Sequence, residues 1–326
     1  MNTRMLGTAV PVGLLLMAGA AVAEYPERAI NMVIPYGAGG ATDISARTIA
    51  EALGAQAGQP LIMANVTGAG GVTGSVAVMN AKPDGYTMLF TRVGSHSVNP
   101  AMKATLPYTL DDFRYVTVYE INPYACAVSA NSDIKTMDDL LAKAQSEAGV
   151  SYSSSGVGSG LHLAGAMVLD AFGLEDAANA ATHIPQGGGG EAATAVLNGT
   201  ADFLCTNTSA LAGFVSNGQM TPLLVTTAEP VVGFDAPTAA ELGHPELEQM
   251  IGWTGIAGPK DLPDDIAATW GEWMNAAAAD ENFVSQMEAR GSIIDVMSPE
   301  ESLDFINTQY ETFKAVVERL GMQVEG

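Results

Sequence analysis

IPYGAGGATD (Ile34–Asp43) puts a proline and three glycines between an apolar run, INMVIP, and a helix-like stretch, DISARTIAEALGAQ. A glycine-rich join at a strand's carboxyl end lets backbone N–H groups approach a ligand without Cβ obstruction. The helix after it adds partial positive charge, which favours an anion. Ligands of open α/β sheets lie outside the carboxyl ends of the strands. The stretch therefore reads as a strand–loop–helix turn built to hold an anion.

Other joins share this build. YSSSGVGSGLHLAG (Tyr152–Gly165) runs from a strand through serines and glycines into a helix, and its hydroxyls can donate to carboxylate oxygens. HIPQGGGGEA (His183–Ala192) is a third. GAGGVTG (Gly68–Gly74) is a fourth, with close packing of a helix on the sheet as its alternative explanation. Any single join is explained by an ordinary turn. Several in one chain, all strand-to-helix, point to a backbone-lined anion site.

Around these joins the pattern alternates. PLIMANV, YTMLFT, Ala125–Ser129, GVSYSS, ATHIP, ADFLCT and TPLLVTT read as strands, with helical stretches such as Val72–Ala81 among them. This alternation predicts parallel sheets with crossover helices. Thr136 with Asp139 and Ser298 with Glu301 have capping-box spacing. Leu303, Ile306, Tyr310, Phe313, Val317 and Leu320 form a helical stripe that reads as a core face. No long linker is visible, so the chain is expected to cross between two units near 120–124 and 226–230.

The 326 residues suffice for about two domains, and 48% hydrophobic with 15% charged residues is a globular composition. Met1–Ala23 carries Arg4, the run LLLMAGAAV and a small-x-small end, which reads as a secretory signal cleaved after Ala23; a buried N-terminal helix is the alternative. Export implies a periplasmic protein. Without Arg4, 12 basic residues face 36 acidic ones. Such a chain is not a general nucleic-acid binder, because the phosphate backbone repels it. Cys126 and Cys205 each sit in an apolar strand-like run, and a disulfide and two buried thiols are equally open.

Enzyme signatures are missing. Gly37/Gly39 and Gly156/Gly158 lack the third glycine of a dinucleotide loop, and there is no Walker lysine or nucleophile elbow. His96, His162, His183 and His244 lack metal-ligand spacing, so no metal or cofactor is expected. His162 reads as a helix-start residue rather than an acid–base group.

The ordered series YPERAINMVIPYGAGGATD, GAGGVTG, PDGYTMLF, Asn99-Pro100, LPYTLDDF, SSSGVGSGLHLAG, HIPQGGGG, LNGTADF, PTAAELGHP and WTGIAGPKDLP resembles the periplasmic solute-binding proteins of tripartite tricarboxylate transporters, often called Bug proteins. The resemblance runs from about Tyr25 to the C-terminus. It implies an α/β, two-domain periplasmic-binding-protein type 2 (Venus-flytrap) fold with a ligand cleft between domains: residues 24–123 plus 228–326 in one, 124–227 in the other. It implies a receptor, expected to be monomeric, that captures a small mono-, di- or tricarboxylate and presents it to a membrane permease. A ligand-sensing receptor of the same fold for a two-component signalling system is the alternative; an enzyme is a third reading that lacks a base–nucleophile motif.

Carried over from the resemblance, the ligand contacts are Tyr36, Gly37, Ala38, Gly39, Gly40, Ala41 and Asp43 on one side, with Ser154, Ser155, Gly156, Gly158, Ser159 and His162 on the other. Asp43 also reads as an N-cap. The third join departs from the family. Where relatives often carry Tyr-Arg-Gly after His-x-Pro, this chain has Gln186, Gly187 and Gly188, leaving Pro185, Gln186 and Gly187 as candidates there. Arg92, in LFTRVGSHSVNP, is expected at the end of a strand facing the cleft. It offers a compensating fork for a second carboxylate, with a surface ion pair as the alternative.

Overall fold

The computed structural model describes residues 25–325, so the signal segment lies outside the described residues. The first lobe opens with β1 (Ile30–Ile34), α1 (Ala41–Ala57), β2 (Leu61–Asn65), α2 (Val72–Met79) and β3 (Thr87–Arg92). A π-helical turn over Gly94–Val98 runs into the short α3 (Asn99–Met102). Strand β4 (Phe113–Ser129) then leads to the second lobe. That lobe holds α4 (Met137–Ala144), β5 (Ser151–Ser154), α5 (Gly160–Ala171), β6 (Thr182–Pro185), α6 (Gly189–Leu197), β7 (Phe203–Asn207), α7 (Thr208–Ser216) and β8 (Met220–Val225). The chain returns as β9 (Ile251–Pro259) and finishes with α8 (Asp264–Ala278), α9 (Glu281–Glu288), β10 (Ile293–Ile294) and α10 (Pro299–Leu320).

Strand β1 pairs in parallel with β2 and β3, and β5 in parallel with β6 and β7, as the alternation predicts. The middle of the sheet departs from the expected parallel pattern. β9 runs antiparallel to β3 and β4, and β4 antiparallel to β7 and β8. The reason is connectivity: β4 leaves the first lobe and β9 re-enters it, so each runs against its neighbours. β4 pairs with β9 from Phe113 to Pro123 and with β7 from Tyr124 onward. Thr226, the residue after β8, is tied to the outgoing strand: its N–H donates to the Tyr124 carbonyl and its hydroxyl accepts from the Tyr124 N–H.

The cores follow from residue type. Ile30, Met32 and Ile34 share one face of β1 and are fully buried, while on the other face Val33 is buried and Asn31 exposed. The first three pack with Leu53 of α1 and with Trp270, Met274 and Phe283 of α8 and α9. Val128, Leu163, Val168, Val196, Phe203 and Leu211 fill the second lobe. Cys126 faces Cys205 across the β4–β7 pair, and the two form a disulfide. Both predicted capping boxes form. The α10 stripe buries Ile306, Phe313 and Val317, but Leu303 is exposed. Ser302 faces inward instead and accepts the Val118 N–H at 2.8 Å, because a backbone donor of β4 needs a partner there.

Candidate functional site

The first loop is held from behind. Asp43 is expected from sequence to cap α1, but Gly40 is the N-cap and Asp43 lies in the first turn. The extended backbone of Gly40 starts the helix at Ala41, which places the carboxylate where it reaches back. It accepts the Gly39 N–H at 3.0 Å, Arg47 Nε at 2.8 Å and Asn65 Nδ2 at 2.9 Å. Asn65 also donates to the Tyr36 carbonyl at 2.9 Å, and the Tyr36 hydroxyl to the Gly70 carbonyl at 3.1 Å. Gly39 takes φ +76°, which a Cβ would strain. Asp43 therefore positions the loop, and the Gly39 N–H is already occupied.

The second loop is equally tied. The Gly156 N–H donates to Ser154 Oγ and the Gly158 N–H to His162 Nδ1. Ser154 Oγ lies 2.6 Å from His183 Nε2. Ser159 is the N-cap of α5, accepting the His162 N–H. Ser155 is different: it is buried, it faces the cleft, and its hydroxyl has no hydrogen-bond partner among the described residues.

His162 is placed beneath the loop rather than in the inner cavity. Its ring stacks on His183 at 4.0 Å, and His183 on Tyr152 at 5.0 Å. Burial, with His183 adding repulsion, pushes His162 down to about 3; burial pushes His183 down to about 4. Both are neutral at physiological pH, as an accepting Nδ1 in His162 requires.

The third join meets the first loop. Pro185 ends β6, the Gln186 N–H donates to the Ser154 carbonyl, and the Gly187 N–H to Glu191. Gly188 and Gly189 lie directly against Gly37 and Gly40.

Arg92 ends β3 and is only 4% exposed, so the surface ion pair is excluded. It donates to Thr254 Oγ1 at 2.6 Å and to Asn207 Oδ1, and it has no carboxylate partner among the described residues. It lines a cavity of about 30 Å³ between the lobes, with Tyr36, Thr42, Tyr124, Ser155 and Asn207. Four helices of eight residues or more begin at this cavity: α1 at Ala41, α5 at Gly160, α6 at Gly189 and α7 just after Asn207. Their N-terminal ends are partially positive. No Asp or Glu lines the cavity among the described residues. In a chain of net charge −23, the cavity is locally positive and suits an anion.

Tyr36 and Ser155 also border an outer chamber of about 360 Å³, lined by the Gly68–Gly71 turn, Gly156 and Lys103. Lys103 donates to the Ala69 carbonyl at 2.6 Å, and burial lowers its pKa. Asn207, Tyr124, Thr254 and Lys103 are not marked as site residues by the sequence. Asn207 stands at a strand-to-helix join without glycine, CTNTSA, so the join's position is the available signal. Lys103 carries no local signal.

A family profile described as "Tripartite tricarboxylate transporter family receptor" matches residues 45–322. Protein BugT of Bordetella pertussis is 28% identical over 305 residues, spanning 92% of each chain. The structure of the periplasmic binding protein BugD superposes with a TM-score of 0.86 at 27% identity, covering 92% of this chain and 99% of that one. Rpa4515 of R. palustris, solved with adipate, superposes with a TM-score of 0.83 at 25% identity, covering 91% and 99%.

Proposed function

Because the chain belongs to the tripartite tricarboxylate transporter receptor family, we propose that it captures a small organic carboxylate between its lobes and delivers it to the membrane permease of such a transporter. The observation that carries this reading is Arg92, a guanidinium buried where four helix N-termini meet, with no carboxylate in contact among the described residues; the buried Glu120 stands one strand further on, across Thr254. Burying a charge with no counter-ion in contact costs on the order of several kcal/mol. A ligand carboxylate offsets this cost by a charge-assisted, two-point fork. The adipate of the R. palustris relative supports an acid with a carboxylate at each end.

In this reading Ser155 donates to one carboxylate and Arg92 to the other. The glycines of the first loop let the two lobes approach closely beside the ligand, while Asp43, Ser154, Ser159 and His162 hold the two loops in place. One lobe holds residues 24–123 and the chain from β9 onward, and the other holds 124–227 with residues 228–250 packed on it, where Thr238 bridges Val225 and the His244 ring lies tilted 4.1 Å from that of Phe172. The precursor is cleaved after Ala23, and the mature protein works outside the cytoplasm as a monomer, without a cofactor.

A thermal-shift screen over mono-, di- and tricarboxylates, aromatic acids and amino acids tests the reading. An acid at a hundredfold excess over its dissociation constant stabilises the native state by about 2.7 kcal/mol. Diacids should give the largest shifts. A screen in which no acid raises the midpoint contradicts the proposal.

A further inference from the structure

The third join carries four consecutive glycines, Gly187 to Gly190, and a backbone requirement does not explain Gly188. Its φ of −174° is extended and open to any residue. Gly189 and Gly190 occupy the first turn of α6, where glycine weakens a helix relative to alanine. What these glycines share is the first loop. A Cβ on Gly188 would lie 2.9 Å from both Cα and N of Gly37. One on Gly190 would lie 2.6 Å from the Ala38 carbonyl oxygen, and one on Gly40 3.4 Å from the Gly189 nitrogen. These neighbours are backbone, which cannot swing aside. Two main chains, one from each lobe, therefore meet with no side chain between them.

This seam is one wall of the inner cavity, which Gly189 lines. A second close approach bounds the cavity elsewhere: a Cβ on Gly94 would lie 3.4 Å from the Gly160 nitrogen. With both contacts made, about 30 Å³ remains beside Arg92, against about 360 Å³ in the outer chamber that shares Tyr36 and Ser155. An acid held at Arg92 with the seam closed must be short, and a longer one must reach into the outer chamber or part the seam.

We infer that the Gly37–Gly40 and Gly188–Gly190 seam is a length filter. Short diacids let the lobes close to backbone contact, while longer diacids hold them apart. The inference rests on the carboxylate-receptor reading above and adds the size class of its ligand. The third join then selects by closeness of approach, without side-chain contacts to the ligand. An extended acid forfeits the interlobe contacts that the glycines make possible.

The test is calorimetry of the wild type and Gly188→Ala with malonate, succinate, glutarate, adipate and pimelate. The wild type should bind malonate or succinate at least tenfold more tightly than adipate and pimelate. Gly188→Ala should flatten this series, losing at least tenfold for the short acids and little for the long ones. The extended backbone of Gly188 accepts alanine, so a fall in its unliganded thermal midpoint would measure the seam contact with Gly37 alone. Gly190→Ala serves as a second variant with the same expected flattening. A wild type that binds adipate as tightly as succinate overturns the filter while leaving the receptor reading intact. So does an unchanged length preference in both variants. Failure of every diacid to bind the wild type overturns the filter, and failure of the whole acid screen overturns the receptor reading as well.

Discussion

Ser155 and Ser159 are two hydroxyls four residues apart with different work. Ser159 caps α5, so its hydroxyl oxygen is committed to the His162 N–H. Ser155 faces both cleft cavities and has no internal partner among the described residues. Ser155→Ala should leave stability unchanged. It should weaken carboxylate binding at least tenfold, since a hydrogen bond to a charged group contributes about 1.5–3 kcal/mol. Ser159→Ala should instead cost about 1 kcal/mol of stability through the lost cap. Chemical denaturation and calorimetry separate the two, and identical behaviour of both variants would contradict this division. Both serines stand out in the sequence as candidates, because hydroxyls between a strand and a helix are visible locally. They are not distinguishable there, because cap geometry depends on where the helix begins. Asp43 departs from its expected role for the same reason: Gly40 starts α1 one residue before Ala41, which turns an expected cap into a brace for the loop. Arg92 ends a strand as expected, but its partners Asn207 and Thr254 are 115 and 162 residues away. Nothing local announces such pairs.

Among elements, β4 connects the lobes and carries Cys126 just inside the second one. Its disulfide to Cys205 spans 79 residues, a separation at which a cross-link restricts the unfolded chain strongly. Replacing both cysteines by alanine should cost about 2–4 kcal/mol in urea denaturation. Carboxylate affinity should be unaffected, since neither cysteine lines the cleft. A double variant as stable as the wild type would show that the cross-link does not contribute. Strand-to-helix units are legible throughout, because period-two apolar runs, capping boxes and turn glycines agree there. Strand β9 is not. Its Gly252, Gly255 and Gly258 dilute the strand pattern, and their reason is nonlocal: a Cβ on Gly255 would lie 2.4 Å from the Thr117 carbonyl oxygen of β4. The antiparallel centre of the sheet is hidden with it, because strand direction follows from the path between lobes rather than from any one segment.

In the whole molecule, global and local charge have opposite signs. The chain carries a net charge of −23, and its described ion pairs lie outside the inner cavity. At that cavity the sign reverses: four helix N-termini and one guanidinium face a space that no carboxylate lines among the described residues. Two lobes closing on this space produce a site that neither possesses alone. Family membership is legible because the motif order spans nearly the whole chain. The shape of the cleft is not, because it arises where glycines of separate lobes meet. The most direct measurement is calorimetry of wild type and Arg92→Gln with a short diacid, together with their unliganded thermal midpoints. Affinity should fall at least a hundredfold with a midpoint near that of the wild type, because the glutamine amide can still donate to Asn207 or Thr254 while the charge that meets the ligand is gone. Full diacid affinity in Arg92→Gln, or a collapse of unliganded stability, would contradict a ligand-binding role for this guanidinium.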